Sequence, residues 1–229
     1  AIADGATSQG VPLGFDLERF KRWYHQAGTP ELSIDRQWNP ESGQLTVNLH
    51  QATPPTPGQA DKQPLVLPVA MALVGEQGRV GEEQLLVMEA ERASITLQGQ
   101  PGDTPPALSV LRRFSAPVHV RLEQPLEECL QLLASDDDSF CRWDAAQRLA
   151  RQVLLARAQG GRNQLVEEAL IEAMDQRITA GQVSDRADLA ALLSLPGMAE
   201  LEALQSPVDP LALYDAMRSW TAERGRQLQ

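Results

Sequence analysis

The chain has 229 residues, with 20 basic and 31 acidic side chains and a formal net charge of −11. That acidity argues against a nucleic-acid-binding surface, which needs a basic footprint, and no apolar stretch approaches the roughly 18 residues of a membrane span. Two cysteines, Cys129 and Cys141, are too few for a disulfide framework and read as buried thiols on helices.

Proline divides the chain in two. Thirteen of the 16 prolines and 11 of the 16 glycines fall in residues 1–125. Proline and glycine punctuate strands and turns, whereas the alanine-richer remainder favours helix. The spacing predicts a polar leader over 1–14, a helix-plus-β-sandwich domain over 15–124 and a helical domain over 125–229.

In chain order, Asp16–Ala27 reads as one short helix capped by Asp16 and stopped at Gly28, with Leu17, Phe20 and Trp23 or Tyr24 facing a neighbour. Strand-like alternation follows over Glu31–Trp38 and Leu45–Leu49, joined by the hairpin Asn39-Pro-Glu-Ser-Gly43. The run Thr53-Pro-Pro-Thr-Pro-Gly58 lacks ladder donors and must connect elements. Further strands are predicted at Leu65–Val74, Gln84–Ala90, Ser94–Leu97 and Val118–Leu122, which suits an antiparallel sandwich.

From Leu126 the apolar period becomes helical. Leu126, Cys129, Leu130 and Leu133 form one stripe, and Ser139 to about Gln159 forms a longer helix closed by Gly160-Gly161. Leu165–Thr179, ended near Gly181, is followed by Asp188–Leu195, Met198–Leu204 and Leu211–Glu223, so the half reads as a helical array.

Catalytic patterns are missing from the sequence. His25, His50 and His119 share no H-E-x-x-H or H-x-x-x-H spacing, so they offer no pair of metal ligands on one helical turn. Asp136-Asp137-Asp138 precedes a helix and reads as a cap, without the glycine and distant glutamate of a calcium loop. There is no G-x-S-x-G elbow and no phosphate loop. Arg112-Arg113 and the arginines at 142, 148, 151 and 157 are interleaved with acids and alanines and read as a solvated or salt-bridged face.

Several segments, in order, resemble the bacterial-type alanyl aminopeptidases (aminopeptidase N) among the gluzincin metallopeptidases. They are Phe20-Lys-Arg-Trp-Tyr-His-Gln-Ala-Gly-Thr-Pro30, Thr53-Pro-Pro-Thr-Pro-Gly-Gln59 with Lys62-Gln-Pro-Leu65, Leu111-Arg-Arg-Phe-Ser-Ala-Pro117, and Asp138-Ser-Phe-Cys-Arg-Trp-Asp-Ala-Ala-Gln-Arg-Leu149. The resemblance implies an immunoglobulin-like sandwich followed by the start of an α-superhelix. It also implies a parent enzyme that removes N-terminal residues from peptides with zinc held by H-E-x-x-H and a later glutamate. Neither that motif nor the family's G-x-M-E-N strand occurs here, so no catalytic, cofactor-binding or metal-binding residue carries over. The opening Ala1-Ile-Ala-Asp4, without methionine, fits the expectation of a fragment from downstream of the catalytic domain.

The expected role is architectural, with the upstream catalytic domain and the remaining superhelix of the same polypeptide as partners, in the cytoplasm. Residues expected at the domain junctions are Phe20, Trp23 and Tyr24, then Arg113 and Phe114, then Phe140, Arg142 and Trp143. The competing expectation is a freestanding module that binds a protein or peptide.

Overall fold

The computed structural model describes residues 13–179 and 186–227. The expected leader up to residue 12, the helix end near Gly181 and the last two residues lie outside the described residues. Two compact units are present. One comprises residues up to Leu73 with Arg79–Glu123, and the other Val74–Gly78 with residues from Gln124 onward.

Among the described residues, the first unit begins with two single turns, α1 (Leu17–Phe20) and α2 (Arg22–His25). Asp16 caps α1 as expected, its carboxylate accepting from Glu18 N and Arg19 N. The single helix expected over Asp16–Ala27 is instead two helices of four residues, and Gln26 is already extended. Gly28, at φ +97°, lies beyond the helix end rather than closing it. Neither turn buries a residue, so no apolar stripe exists to carry a longer helix.

Seven strands follow: β1 (Glu31–Asn39), β2 (Gln44–Ala52), β3 (Leu67–Gly75), β4 (Gly78–Met88), β5 (Arg92–Gln98), β6 (Ala107–Val110) and β7 (His119–Arg121). They form one sheet ordered β5-β2-β1-β7 and another ordered β4-β3-β6, the two layers of an immunoglobulin-like sandwich. In β2, alternation places Leu45, Val47, Leu49 and Gln51 inward. The β1–β2 hairpin turns at Gly43, φ +65°, where an added Cβ would come within 2.5 Å of the Gln100–Pro101 backbone.

Two strand expectations need correction. The sandwich is not wholly antiparallel, because β7 pairs parallel to β1 with Glu31 opposite His119. Sequence reading also passed over β6, whose four residues are all buried and so carry no alternating signature. His50 and His119 do lie in strands, as expected.

The second unit contains α3 (Leu126–Ser135), α4 (Ser139–Ala158), α5 (Gln164–Thr179), α6 (Arg186–Leu192), α7 (Met198–Ala203) and α8 (Pro210–Gln227). Helix α4 is its spine and contacts α3, α5, α6 and α8. Its buried face holds Cys141, Ala145, Ala146, Leu149, Ala150, Val153 and Leu154, against which Leu170, Leu213 and Trp220 are also fully buried. Asp138 caps α4, Oδ1 accepting from Cys141 N at 3.0 Å, as the aspartate run led one to expect. Gly160, at φ +76°, ends the helix while Gly161 N donates to Ala156 O at 3.0 Å. Both cysteines are buried, and neither is in a disulfide.

Candidate functional site

The most constrained surface feature follows β6. Leu111, Arg113 and Phe114 adopt φ of 58°, 55° and 54°, and none is glycine. Each left-handed residue costs about 1–2 kcal/mol relative to the right-handed basin, so the surroundings must hold this turn in place. Arg112 is buried, donating through Nε to Glu83 Oε2 at 2.8 Å and through Nη1 to Ser109 Oγ at 2.9 Å. Arg113 donates through Nη1 to the same Oε2 at 2.8 Å, and its Nη2 pairs with Oε1. The Arg113 hydrogen bond, helped by Arg112 against the effect of burial, pulls the Glu83 carboxyl down to about 2. Beyond the turn, Ser115 Oγ accepts from Ala70 N at 3.0 Å, and Ala116 is fully buried.

The result is an aromatic ring presented on a braced turn: Phe114 is 55% exposed and directly follows two arginines tied to one carboxylate. Such an arrangement can dock and orient. It holds no nucleophile or general base in catalytic geometry.

The leader residues form a second group in the same unit. Phe20 packs between Phe15 and Tyr24, with ring centroids 5.4 Å and 6.4 Å away, and Tyr24 is 78% exposed. Trp23 turns the other way, its indole donating to Val66 O at 2.9 Å. The connector predicted at Thr53–Gly58 runs into the loop that holds this leader. Lys62 Nζ donates to Ala27 O, Thr56 Oγ1 and Gln59 Oε1, while Gln59 Nε2 donates to His25 O. Lys62, Asp61, His50 and Glu91 also line an open groove of about 530 Å³. His50 Nε2 lies 3.0 Å from Glu91 Oε1 there, within hydrogen-bond distance, but Lys62 is engaged with the leader.

In the helical unit, Phe140 and Trp143 are half-buried and meet at 5.6 Å between centroids. The Trp143 indole donates to Ser194 Oγ at 3.3 Å, and Arg142 Nη1 donates to Asp136 O at 2.9 Å, bracing the capping loop. The expected residues therefore sit in three local groups, each with its own support. Sequence reading missed Glu83, which lies 29 residues from Arg112 and belongs to no motif. Among the described residues, no group of three or more His, Cys, Asp or Glu side chains could hold a metal ion.

Two family models match in tandem. The one described as a domain of unknown function (DUF3458) with Ig-like fold covers residues 28–123, and the DUF3458_C domain with ARM repeats covers residues 126–229. Aminopeptidase N of Caulobacter vibrioides is 39% identical over 203 residues, which is 89% of this chain and 23% of that protein. Aminopeptidase N of Escherichia coli is 31% identical over 222 residues, 93% of this chain and 25% of that protein. The chain is homologous to one part of aminopeptidase N.

It spans about a quarter of the length of those aminopeptidase N relatives. The fold agrees with a solved structure, Legionella pneumophila aminopeptidase A in complex with aspartic acid, at a TM-score of 0.72 and 23% identity. That likeness covers 97% of this chain and 25% of the Legionella chain, and it concerns the fold alone.

Proposed function

We propose that this chain is the non-catalytic sandwich and early superhelix of a zinc-dependent aminopeptidase that removes N-terminal residues from peptides. The sandwich spaces an upstream catalytic domain from the superhelix. The superhelix encloses the active-site chamber and limits entry to peptides. Phe20, Trp23, Tyr24, Arg113, Phe114, Phe140, Arg142 and Trp143 serve the junctions in this reading, and the parent works in the cytoplasm.

One observation carries the proposal. The chain aligns along about nine-tenths of its length with two aminopeptidase N relatives four times as long, yet contains no H-E-x-x-H. Zinc chemistry, if the parent follows the family, is supplied by other parts of the polypeptide. The bracing of Phe114 and the exposure of Tyr24 supply rigid aromatic anchors of the kind that dominate docking energies.

The test is a comparison of hydrolysis of alanine p-nitroanilide by the purified 229-residue chain and by the parent polypeptide, each with added zinc. The parent should be active and chelator-sensitive, and the chain alone inactive. Zinc-dependent hydrolysis by the chain alone would sink the proposal, as would an inactive parent.

A further inference from the structure

Non-glycine residues hold left-handed torsions only where the surroundings leave no alternative. Three of the four residues Leu111–Phe114 do so, and both arginines of the turn bind one carboxylate. Glu83 Oε2 accepts from both Arg112 Nε and Arg113 Nη1 at 2.8 Å, and Oε1 pairs with Arg113 Nη2. Glu83 stands on β4 and the arginines follow β6, the two outer strands of one three-stranded sheet. The carboxylate therefore closes a bridge from one edge strand to the chain leaving the other.

We propose that Glu83 is the latch of this turn, a positioning residue that holds Leu111–Phe114 left-handed and so fixes the outward presentation of Phe114. Without the carboxylate, the Arg112 guanidinium, 3% exposed, loses a charged partner at 2.8 Å, Arg113 loses the same partner, and the left-handed strain is opposed less. The chain then relaxes toward right-handed torsions, which moves the Phe114 ring. The use made of that ring rests on the junction reading above; the latch itself does not.

The experiment is amide hydrogen exchange on the 229-residue chain, comparing Glu83→Gln, Phe114→Gly and the double variant with the unaltered protein. Glu83→Gln should speed exchange across 111–116 by about tenfold or more, while the β1–β2 ladder keeps its protection. Phe114→Gly should recover a substantial part of that loss in the Glu83→Gln background, because glycine adopts positive φ without strain. A purely electrostatic tether would show no such rescue.

Unchanged exchange across 111–116 in Glu83→Gln overturns the latch, and so does an absence of rescue. If Glu83→Gln fails to fold, Arg113→Gln replaces it, since that side chain is 64% exposed and its removal spares the core. It should speed exchange of the same segment by about threefold to fivefold, and unchanged exchange there overturns the proposal. A chain with an intact latch that fails to support the parent's assembly would count against the junction reading alone.

Discussion

The guanidinium of Arg157 lies 4.9 Å from the ring centroid of Trp220, joining α4 to α8 through a charge on a fully buried aromatic face. The same guanidinium donates to both oxygens of Glu167 on α5 at 2.8 Å, and to Glu223 Oε2 at 2.7 Å. Arg162, between α4 and α5, also binds Glu167 and Glu223. Two cations and two anions thus tie three helices together where the apolar core ends.

Glu167 is the innermost member, with a side chain 3% exposed. Burial pushes its carboxyl up, but hydrogen bonds from Arg157 and Arg162 outweigh that and hold it below its ordinary value. Glu167→Ala should cost about 2–3 kcal/mol, because the buried Arg157 guanidinium loses its two-oxygen partner while keeping Glu223. Urea unfolding of the two proteins checks this. A loss under about 1 kcal/mol would mean that the network behaves as an exposed, screened pair.

Acid should weaken the fold. Glu31, Glu83, Glu167 and Glu223 all titrate below the ordinary 4.5 in the folded chain, Glu83 at about 2. Below 4.5 the unfolded chain binds more protons than the folded one, so stability falls as pH falls. The contribution is complete above the unfolded value and is lost as pH drops through the folded values. Glu31 adds little, since its partner Arg121 is 66% exposed. The melting temperature should therefore decline from about pH 5 to pH 3, and less steeply in Glu83→Gln. Equal slopes in the two proteins would remove Glu83 from the account.

The sequence revealed the large divisions because they rest on local chemistry. Proline and glycine usage separates the sandwich from the helices, and Asp138 announces the start of α4. Features that depend on distant partners were hidden. β6 has no polar face to alternate with, since Ser109 is buried as a partner of Arg112. The motif Leu111-Arg-Arg-Phe114 drew notice through family resemblance, but without a glycine nothing in it signals left-handed torsions. Arg22 and Trp23 of the second leader turn bond to backbone carbonyls of Pro64 and Val66, contacts more than 40 residues away in sequence that no local pattern announces.

Gln51 illustrates a polar group that the alternation of β2 places inside. It is 2% exposed, and its amide nitrogen donates to Leu65 O and Ala90 O while its oxygen accepts from Leu65 N, each at 2.9 Å. Gln51→Leu keeps the volume and apolar burial but orphans three backbone groups. The expected loss is about 2–4 kcal/mol, since each unsatisfied buried group costs about 1–3 kcal/mol and some relax or find water. Denaturant unfolding with an unchanged m-value checks it. A neutral outcome would show that water reaches those groups.

Arg224 on α8 should behave in the opposite way. It is 8% exposed, and Nη2 donates to Leu193 O at 2.7 Å, while Nη1 has no hydrogen-bond partner among the described residues. Burial pushes its guanidinium below the ordinary value, and among the described residues no carboxylate offsets it. One turn earlier, the buried Trp220 indole nitrogen likewise lacks a partner among the described residues. A buried cation without a counter-charge is costly, and an apolar side chain of similar length removes that cost. Against this stand one charge-assisted hydrogen bond to Leu193 O, worth about 1.5–3 kcal/mol, and the favourable place of a cation in the last turns of a helix, worth about 0.3–1 kcal/mol. Desolvation of a full charge outweighs both, so Arg224→Met should raise the melting temperature of the 229-residue chain by about 2 °C or more. Scanning calorimetry of the two proteins in one buffer decides it. A lower melting temperature in Arg224→Met would mean that the guanidinium is compensated in solution by a group that this face does not show.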